Sequence, residues 1–501
     1  MTRLPDLPNA SVIADQAKWT RYTWFAILGI TAFRILMLAL GKTELYLDEE
    51  QYWLWGQYPD FGYFSKPPLI GWLIGAVTAI SGSDTPFWVR FPAPLLHGIT
   101  AVILAHWARI SLQTDGVDAS ESGFWVALAY LTLPITTVGS FVISTDTVMA
   151  PFLAGAIFTY WRLISIPSVT RALITGVLVG LAMLAKYAGV YFFLFALTAA
   201  VFSPRFRLSP KYVAVIIVAT AIMMTGNIHW NYTHEFATLD HTAGNASWLG
   251  GDAVEIEPLR FVEFMIGQAI VLGPVFLFTV LYLYARPRKA ATPVLIAFSL
   301  PVFLIVGTQS FLADVNANWT FSASLGANTM AVIWLLRRGA RRILVGAIAL
   351  NGLLLLALPI MTLVPEKIIL NDKPLLSRYL GRSDMAGQIF AAADKAEVAA
   401  LLSEDRSILA DLFFYSDRNG NTPIFSTPYD GRVRHYFAQT FPLPTTFSGP
   451  VLFISRKNLE IKCNTPLIAT FDTIGGAYQG WPAPKAYLLA SECLPEVTLH
   501  D

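Results

Sequence analysis

A succession of long apolar runs, opening with Trp24–Leu40, limits this chain to folds that can live in a bilayer. A helix needs about 20 predominantly apolar residues to cross the hydrocarbon core, and it satisfies every backbone polar group internally. Further runs follow near residues 86–110, 123–141, 147–165, 171–186, 188–203, 211–228, 260–284, 291–308, 319–336 and 343–363, giving eleven predicted spans. The apolar stretch Pro68 to Gly82 is read as a short juxtamembrane helix in the interface; the alternative, that it spans, makes twelve. Composition agrees, with 55% hydrophobic residues, 14% charged and a mean hydropathy of +0.53, against about 25% charged in soluble domains. The first stretch is polar and no small-residue cleavage site follows the first run, so that run is expected to stay as an anchor.

Loop charges set the orientation. With a cytoplasmic N-terminus, the inner segments carry Arg3, Lys18, Arg21, Arg109, Arg162, Arg171, Arg205, Arg207, Lys211, Arg286, Arg288, Lys289, Arg337, Arg338, Arg341 and Arg342. The outer loops carry only Lys42, Lys66, Arg90, Lys186 and Arg260, a ratio of sixteen to five that follows the positive-inside rule. Acidic residues gather on the outer side, among them Glu44, Asp48, Glu49, Glu50, Asp146, Asp240 and Asp314, as expected of a working face there.

From Val364 onward the pattern becomes mixed: Leu375 to Leu402 reads as helical, Ile408–Tyr415 and Val451–Ser455 as strands, with Gly, Pro and Asn turns between. The expected organisation is a transmembrane domain over 1–363, with a catalytic first outer loop at 42–85, and a small soluble α/β domain over 364–501. Odd span parity places that domain in a periplasm-like space, where Cys463 and Cys493 either pair or remain two buried thiols. Two cysteines exclude a disulfide-dense scaffold, 13% aromatic residues exclude disorder, and 35 Lys+Arg against 34 Asp+Glu argue against a nucleic-acid partner.

The densest chemistry lies in Tyr46–Leu47–Asp48–Glu49–Glu50–Gln51–Tyr52–Trp53, followed by Phe61–Gly62–Tyr63–Phe64–Ser65–Lys66–Pro67–Pro68. Aromatics alone would form an interfacial belt, and acids alone a solvated loop. Together, beside a lysine stiffened by two prolines, they read as a site for a lipid-linked substrate. An acid there can position an acceptor or take its proton, and a lysine can hold a phosphate as a point charge.

These segments resemble the protein O-mannosyltransferase / aminoarabinose (lipid A) transferase superfamily, membrane glycosyltransferases of the GT-C fold that use polyprenyl-phosphate sugars. The resemblance rests on Asp48–Glu49, Tyr52–Trp53–Leu54–Trp55, Gly62–Tyr63–Phe64 and Lys66–Pro67–Pro68. It continues in order through Ser144–Thr145–Asp146, Leu184–Ala185–Lys186–Tyr187, Trp230–Asn231, Gly267–Gln268, Gly273–Pro274 and Asn316–Ala317–Asn318–Trp319. It reaches the tail at Leu412–Phe413–Phe414–Tyr415 and Gly449–Pro450–Val451–Leu452–Phe453. Glu50 and Gln51 replace the small residue and Tyr that often follow the Asp-Glu pair, and Ser65 stands where the aminoarabinose branch often has an acid.

The resemblance implies a mainly α, polytopic helical bundle performing a single-displacement, inverting transfer. The donor is an undecaprenyl- or decaprenyl-phosphate sugar, and nearby cations stabilise its leaving phosphate. Asp48 is assigned the acceptor-orienting or deprotonating role, with Glu49 a local structural or metal partner and Asp146 a second catalytic acid or a helix cap. Lys66 is the first choice for the donor phosphate, Lys186 and Arg260 the second, and Tyr52 and Tyr63 complete the donor site. Lys186 has the competing reading of an ion pair with Asp146, and Arg260 that of a snorkelling helix-end residue. His229, His234 and His241 with Glu235 and Asp240 are candidate ligands of a divalent metal, but their spacing matches no regular motif. Arg34, inside the first span, is expected to face the bundle and pair with an acid or phosphate.

The expected acceptor is an envelope glycolipid, lipid A or lipopolysaccharide core, on the outer side of a Gram-negative inner membrane, with the enzyme acting as a monomer among membrane lipids. The alternatives are Ser/Thr hydroxyls of proteins, a lipid-linked sugar transporter or flippase, and a non-catalytic assembly protein. No Gly-rich phosphate loop supports a nucleotide-sugar donor. A repeat-built transporter would carry charges near the midplane, where this chain has little besides Arg34.

Overall fold

The computed structural model describes residues 10–112, 119–245, 256–287, 293–416, 422–430, 433–457, 465–473, 476–490, 493 and 499–500. The chain divides into two compact units, one of residues 1–39 and 90–359, the other of residues 40–89 and 360–501. The first outer loop therefore groups with the C-terminal chain.

The first unit is helical. Among the described residues five helices are long and apolar enough to cross a membrane: Ala14–Leu40, Pro86–Leu112, Thr145–Ser165, Pro210–Thr233 and Arg341–Leu363. Several other apolar runs fold as shorter or interrupted helices. The run expected over 260–284 bends by 117° between Pro258–Leu272 and Pro274–Ala285. Pro274 has no amide hydrogen to continue the ladder, and Gly273 sits at φ 84, where an L side chain is strained. A Cβ at Gly273 would also lie 2.1 Å from Oδ1 of Asn351. The run over 123–141 divides likewise into Ala119–Thr132 and Pro134–Val138.

That second break decides the surroundings of Arg34. Arg34 is fully buried and faces the bundle as expected, but its hydrogen-bond partners among the described residues are not acids. Nη2 donates to the carbonyl of Leu131 at 2.5 Å and lies 3.5 Å from Oγ1 of Thr137. The helix ending at Thr132 leaves its last carbonyls without intrahelical donors, and the guanidinium supplies one.

The second unit carries a five-stranded sheet. Its strands run in the order Ile424–Ser426, Ala400–Ser403, Val451–Ser455, Lys485–Leu489 and Leu467–Thr470. The first three are parallel, and Lys485–Leu489 pairs antiparallel with both of its neighbours. Ala400–Ser403 and Val451–Ser455 are buried at every position, the pattern of strands covered on both faces. Cys493 packs in this core with Leu402, Val451 and Phe453. It is disulfide-bonded; Cys463 lies outside the described residues.

Two sequence expectations in this unit are corrected. Ile408–Tyr415 is not a strand but part of the helix Arg406–Tyr415. The Asp405 carboxylate caps it, accepting from the amides of Ser407 at 2.8 Å and Ile408 at 3.3 Å. Periodicity alone does not separate a short apolar run into helix or strand. The helix expected over Leu375–Leu402 is confined to Arg382–Lys395, and its end becomes the buried strand Ala400–Ser403.

The first outer loop forms two helices, Leu47–Gln57 and Leu69–Ser81. They cross at glycines, so closely that a Cβ on Gly75 would lie 2.5 Å from the Gly56 carbonyl oxygen. Leu69–Ser81 has 13 residues, about 20 Å of helix against the roughly 30 Å of a bilayer core.

Candidate active site

Asp48 lies in the first turn of Leu47–Gln57, beside Glu49 and Glu50, where the helix dipole favours negative charge. The three acids diverge. Asp48 is only half-buried, and its Oδ1 accepts from Nη2 of Arg406. Nε of Arg406 donates in turn to Oε1 of Gln51 at 2.8 Å, one helical turn on from Asp48. A planar guanidinium held at both ends orients the carboxylate. Glu49 is buried, and its Oε2 accepts the Tyr46 amide at 3.0 Å, the return bond of a capping box.

Glu50 is also buried and belongs to a cluster that sequence reasoning missed. Nη1 of Arg382 lies 3.7 Å from Oε2 of Glu50 and 2.5 Å from Oδ1 of Asp411. The Tyr478 hydroxyl donates to Oδ2 of Asp411 at 2.7 Å. Burial, then the Asp411 charge, pushes the Glu50 carboxyl well above the usual range, with Arg382 opposing. Burial raises Asp411 as well, against the pull of Arg382. Two carboxyls sharing one cation in a dry site favour retention of a proton. The Glu44 carboxylate closes the cluster by accepting from the Arg382 amide at 2.7 Å and from the Ser383 hydroxyl.

Tyr63 shapes the loop from within. Its ring stacks on Trp55 with centroids 4.5 Å apart. Its hydroxyl donates toward the Trp55 carbonyl at 2.8 Å and accepts the Asp60 amide at 3.0 Å. Tyr52 is buried with its centroid 5.1 Å from that of Trp55. Both tyrosines, expected at the donor, therefore support the loop's own packing. Lys66 is half-buried just ahead of Leu69–Ser81, and its carbonyl accepts the Tyr63 amide at 3.2 Å.

In the first unit, Asp146 and Lys186 meet. Nζ of Lys186 lies 2.7 Å and 2.8 Å from the two carboxylate oxygens. Nδ2 of Asn318 donates to Oδ2 of the same carboxylate at 2.8 Å. The ion pair weighed against the phosphate role for Lys186 is thus present. The cap of Thr145–Ser165 is Ser144, which accepts the Thr147 amide at 3.2 Å, so Asp146 is not engaged as a cap.

Other motif residues also converge here. The Tyr187 hydroxyl donates to Oδ1 of Asn227 at 2.9 Å and accepts from Nδ2 of Asn231 at 3.0 Å. Gln268 donates to the Ala317 carbonyl at 3.0 Å and accepts from Thr320 at 2.6 Å. Motifs that look weak singly supply the partners within each of these hydrogen-bonded groups.

Arg260, a candidate for the donor phosphate, is held by Glu257 at 3.0 Å and Asp314 at 3.2 Å. His234 stacks on Trp230 with centroids 4.0 Å apart. Among the described residues no three His, Cys, Asp or Glu side chains come together as a metal-ligand group. Arg406 and Asp411 lie in a segment with no local chemical signature, and only folding brings them to the first loop.

The family described as dolichyl-phosphate-mannose-protein mannosyltransferase matches residues 65–230. RgtD of Rhizobium johnstonii, a lipid A galacturonosyltransferase, is 32% identical over 476 residues, which are 93% of this chain and 98% of that protein. Two crystal structures of ArnT from Cupriavidus metallidurans share the fold. The apo form has a TM-score of 0.59 at 12% identity, covering 94% of this chain and 98% of the other. The form bound to undecaprenyl phosphate has a TM-score of 0.60 at 13% identity, covering 95% and 99%. A relative this similar over almost the whole of both chains, with the ordered motifs described above, shows that the chain belongs to the GT-C family of membrane glycosyltransferases that use polyprenyl-phosphate sugars.

Proposed function

We propose that this enzyme moves a sugar from an undecaprenyl-type phosphate donor to a lipid A-type glycolipid, with inversion at the anomeric carbon. The reaction is placed at the periplasmic face of the inner membrane, with the C-terminal domain on that side. The observation that carries the reading is the similarity to a lipid A galacturonosyltransferase along almost the whole chain, soluble part included. By the same similarity the transferred sugar is a uronic acid.

In the proposed step an acceptor hydroxyl oxygen attacks the anomeric carbon as the carbon–oxygen bond to the donor phosphate breaks. The acceptor proton passes to the Asp48 carboxylate, which Arg406 orients. The electron pair of the broken bond leaves with the lipid phosphate, and Lys66 is the cation proposed to stabilise it. Protein Ser/Thr hydroxyls are the second reading, favoured by the protein mannosyltransferase match over 65–230. That match ends at residue 230, short of residues 360–501, where the full-length relative continues.

The test is intact-mass spectrometry of lipid A, core and envelope glycoproteins from a deletion strain carrying wild type or Asp48→Asn. Loss of one uronic acid from lipid A, restored by wild type and not by the variant, supports the reading. A loss confined to glycoproteins transfers it to the second reading, and no glycan change removes both.

A further inference from the structure

Gln268 is fully buried near the end of Pro258–Leu272, and both ends of its amide are committed to one short turn. The turn, Ala317–Thr320, is a 3₁₀ segment of four residues ahead of the helix Phe321–Arg337. Nε2 of Gln268 donates to the Ala317 carbonyl at 3.0 Å, and Oε1 accepts from the Thr320 hydroxyl at 2.6 Å. A carbonyl can only accept, so the amide nitrogen faces Ala317. Asn318 lies between these two tethered residues, and its Nδ2 donates to Oδ2 of Asp146 at 2.8 Å.

Each step of this relay has a physical reason. A single 3₁₀ turn has poor hydrogen-bond geometry of its own. Asn318 is exposed, and an exposed amide exchanges its partner for water at little net cost. Its bond to Asp146 therefore depends on where the turn holds the Asn318 backbone. Gly267 lets the helix approach this closely, since a Cβ there would lie 3.0 Å from the Cβ of Ala317. One turn beyond Gln268, Nδ2 of Asn351 donates to the Leu272 carbonyl at 3.1 Å and fastens the end of the same helix. Only an amide serves both ends of the clamp. Glu would set an acceptor against the Ala317 carbonyl, and Leu would offer neither donor nor acceptor. The Asp146 carboxylate is thus bonded from two directions, by Lys186 at the end of Val169–Ala185 and by the tethered turn.

We infer that Gln268 is a positioning residue for glycosyl transfer: through the Ala317–Thr320 turn it sets Asn318, and through Asn318 the direction of the Asp146 carboxylate. Gln268 itself reaches no reacting group. A carboxylate whose placement must suit a transition state loses rate when its support shifts, while substrate binding changes little. The link to transfer rests on the function proposed above; the hydrogen-bond relay does not.

The experiment measures steady-state transfer from undecaprenyl-phosphate galacturonic acid to lipid A by detergent-solubilised full-length protein. Gln268→Leu lowers kcat about 10- to 100-fold, the scale of a small misplacement in a reacting geometry. Donor and acceptor KM shift by less than about twofold, the scatter of independent sites. Gln268→Glu does no better than Gln268→Leu. Thr320→Val removes the other end of the clamp and lowers kcat in the same sense, and Thr320→Ser retains it. That pair carries the test should Gln268→Leu fold poorly. On an Asn318→Ala background, Gln268→Leu costs less than about twofold more in kcat, because the link it works through is already gone. An unchanged kcat in folded Gln268→Leu, losses that multiply independently with Asn318→Ala, or a change confined to KM overturns the inference. A wild type that moves no sugar between these substrates removes the proposed function. The relay is then read from thermal unfolding: losses from Gln268→Leu and Asn318→Ala that fall short of their sum retain it, and additive losses overturn it.

Discussion

Nζ of Lys186 lies 2.7 Å from Oδ1 of Asp146, joining the end of one helix to the first turn of another, with Asn318 bonded to the same carboxylate. The exposures, 18% for the lysine side chain and 8% for the aspartate, make this a largely desolvated pair. Lys186→Met leaves a buried carboxylate uncompensated and should cost about 3–5 kcal/mol. Asp146→Asn/Lys186→Met should recover most of that loss. Thermal unfolding in detergent checks both. If Lys186 also holds the donor phosphate, the double variant regains stability and stays deficient in donor KM.

Asp48→Asn should lower kcat by about 10²–10⁴, the usual range for removing a proton-transfer group, with little change in unfolding temperature because the side chain is only half-buried. Arg406→Lys keeps the charge but not the fork that reaches both Asp48 and Gln51. It should give an intermediate loss in kcat, measured in steady-state transfer with purified donor.

The Glu50–Asp411 pair makes stability depend on pH. Both carboxyls are raised in the folded state, so that state holds a proton the unfolded chain has released. The stabilisation is present below the ordinary carboxylate pKa and is lost as pH rises above it toward the raised folded value. The slope is at most about 1.4 kcal/mol per pH unit for one proton. Arg382, Glu44 and Tyr478 surround the pair and do not remove it. Glu50→Gln should flatten the dependence and raise the unfolding temperature at neutral pH, read by thermal scans across pH.

Gly75→Ala should destabilise the first loop, because its Cβ would meet the Gly56 backbone at 2.5 to 3.0 Å and backbone cannot rotate away. Overpacking of this kind costs about 1–3 kcal/mol. Faster proteolysis within residues 40–89 at native temperature is the measurement.

Alkaline phosphatase fused to the C-terminus of the full chain should be active, since the proposed eleven spans with an inner N-terminus would place it outside. An inactive phosphatase, with a cytoplasmic reporter active at the same position, would point to twelve spans and to Leu69–Ser81 as the added one.

The sequence by itself determined that the chain is a membrane protein and which family it belongs to, and it marked where acids, lysines and aromatics cluster. These follow from composition, charge and short motifs, all properties of neighbours along the chain. Asp48, Asp146 and Lys186 stood out as candidates for that reason. Tertiary structure decided what those residues touch. Arg406 reaches Asp48 from 358 positions away, and Asn318 reaches Asp146 from 172. It also decided that Tyr63 turns inward, that Ile408–Tyr415 winds as a helix, and that Pro134 and Pro274 break runs that hydropathy reads as continuous. Hydropathy registers only that a segment prefers apolar surroundings. Helix against strand, unbroken against bent, and the partner of each charge depend on which distant carbonyl, carboxylate or ring the fold brings within bonding distance.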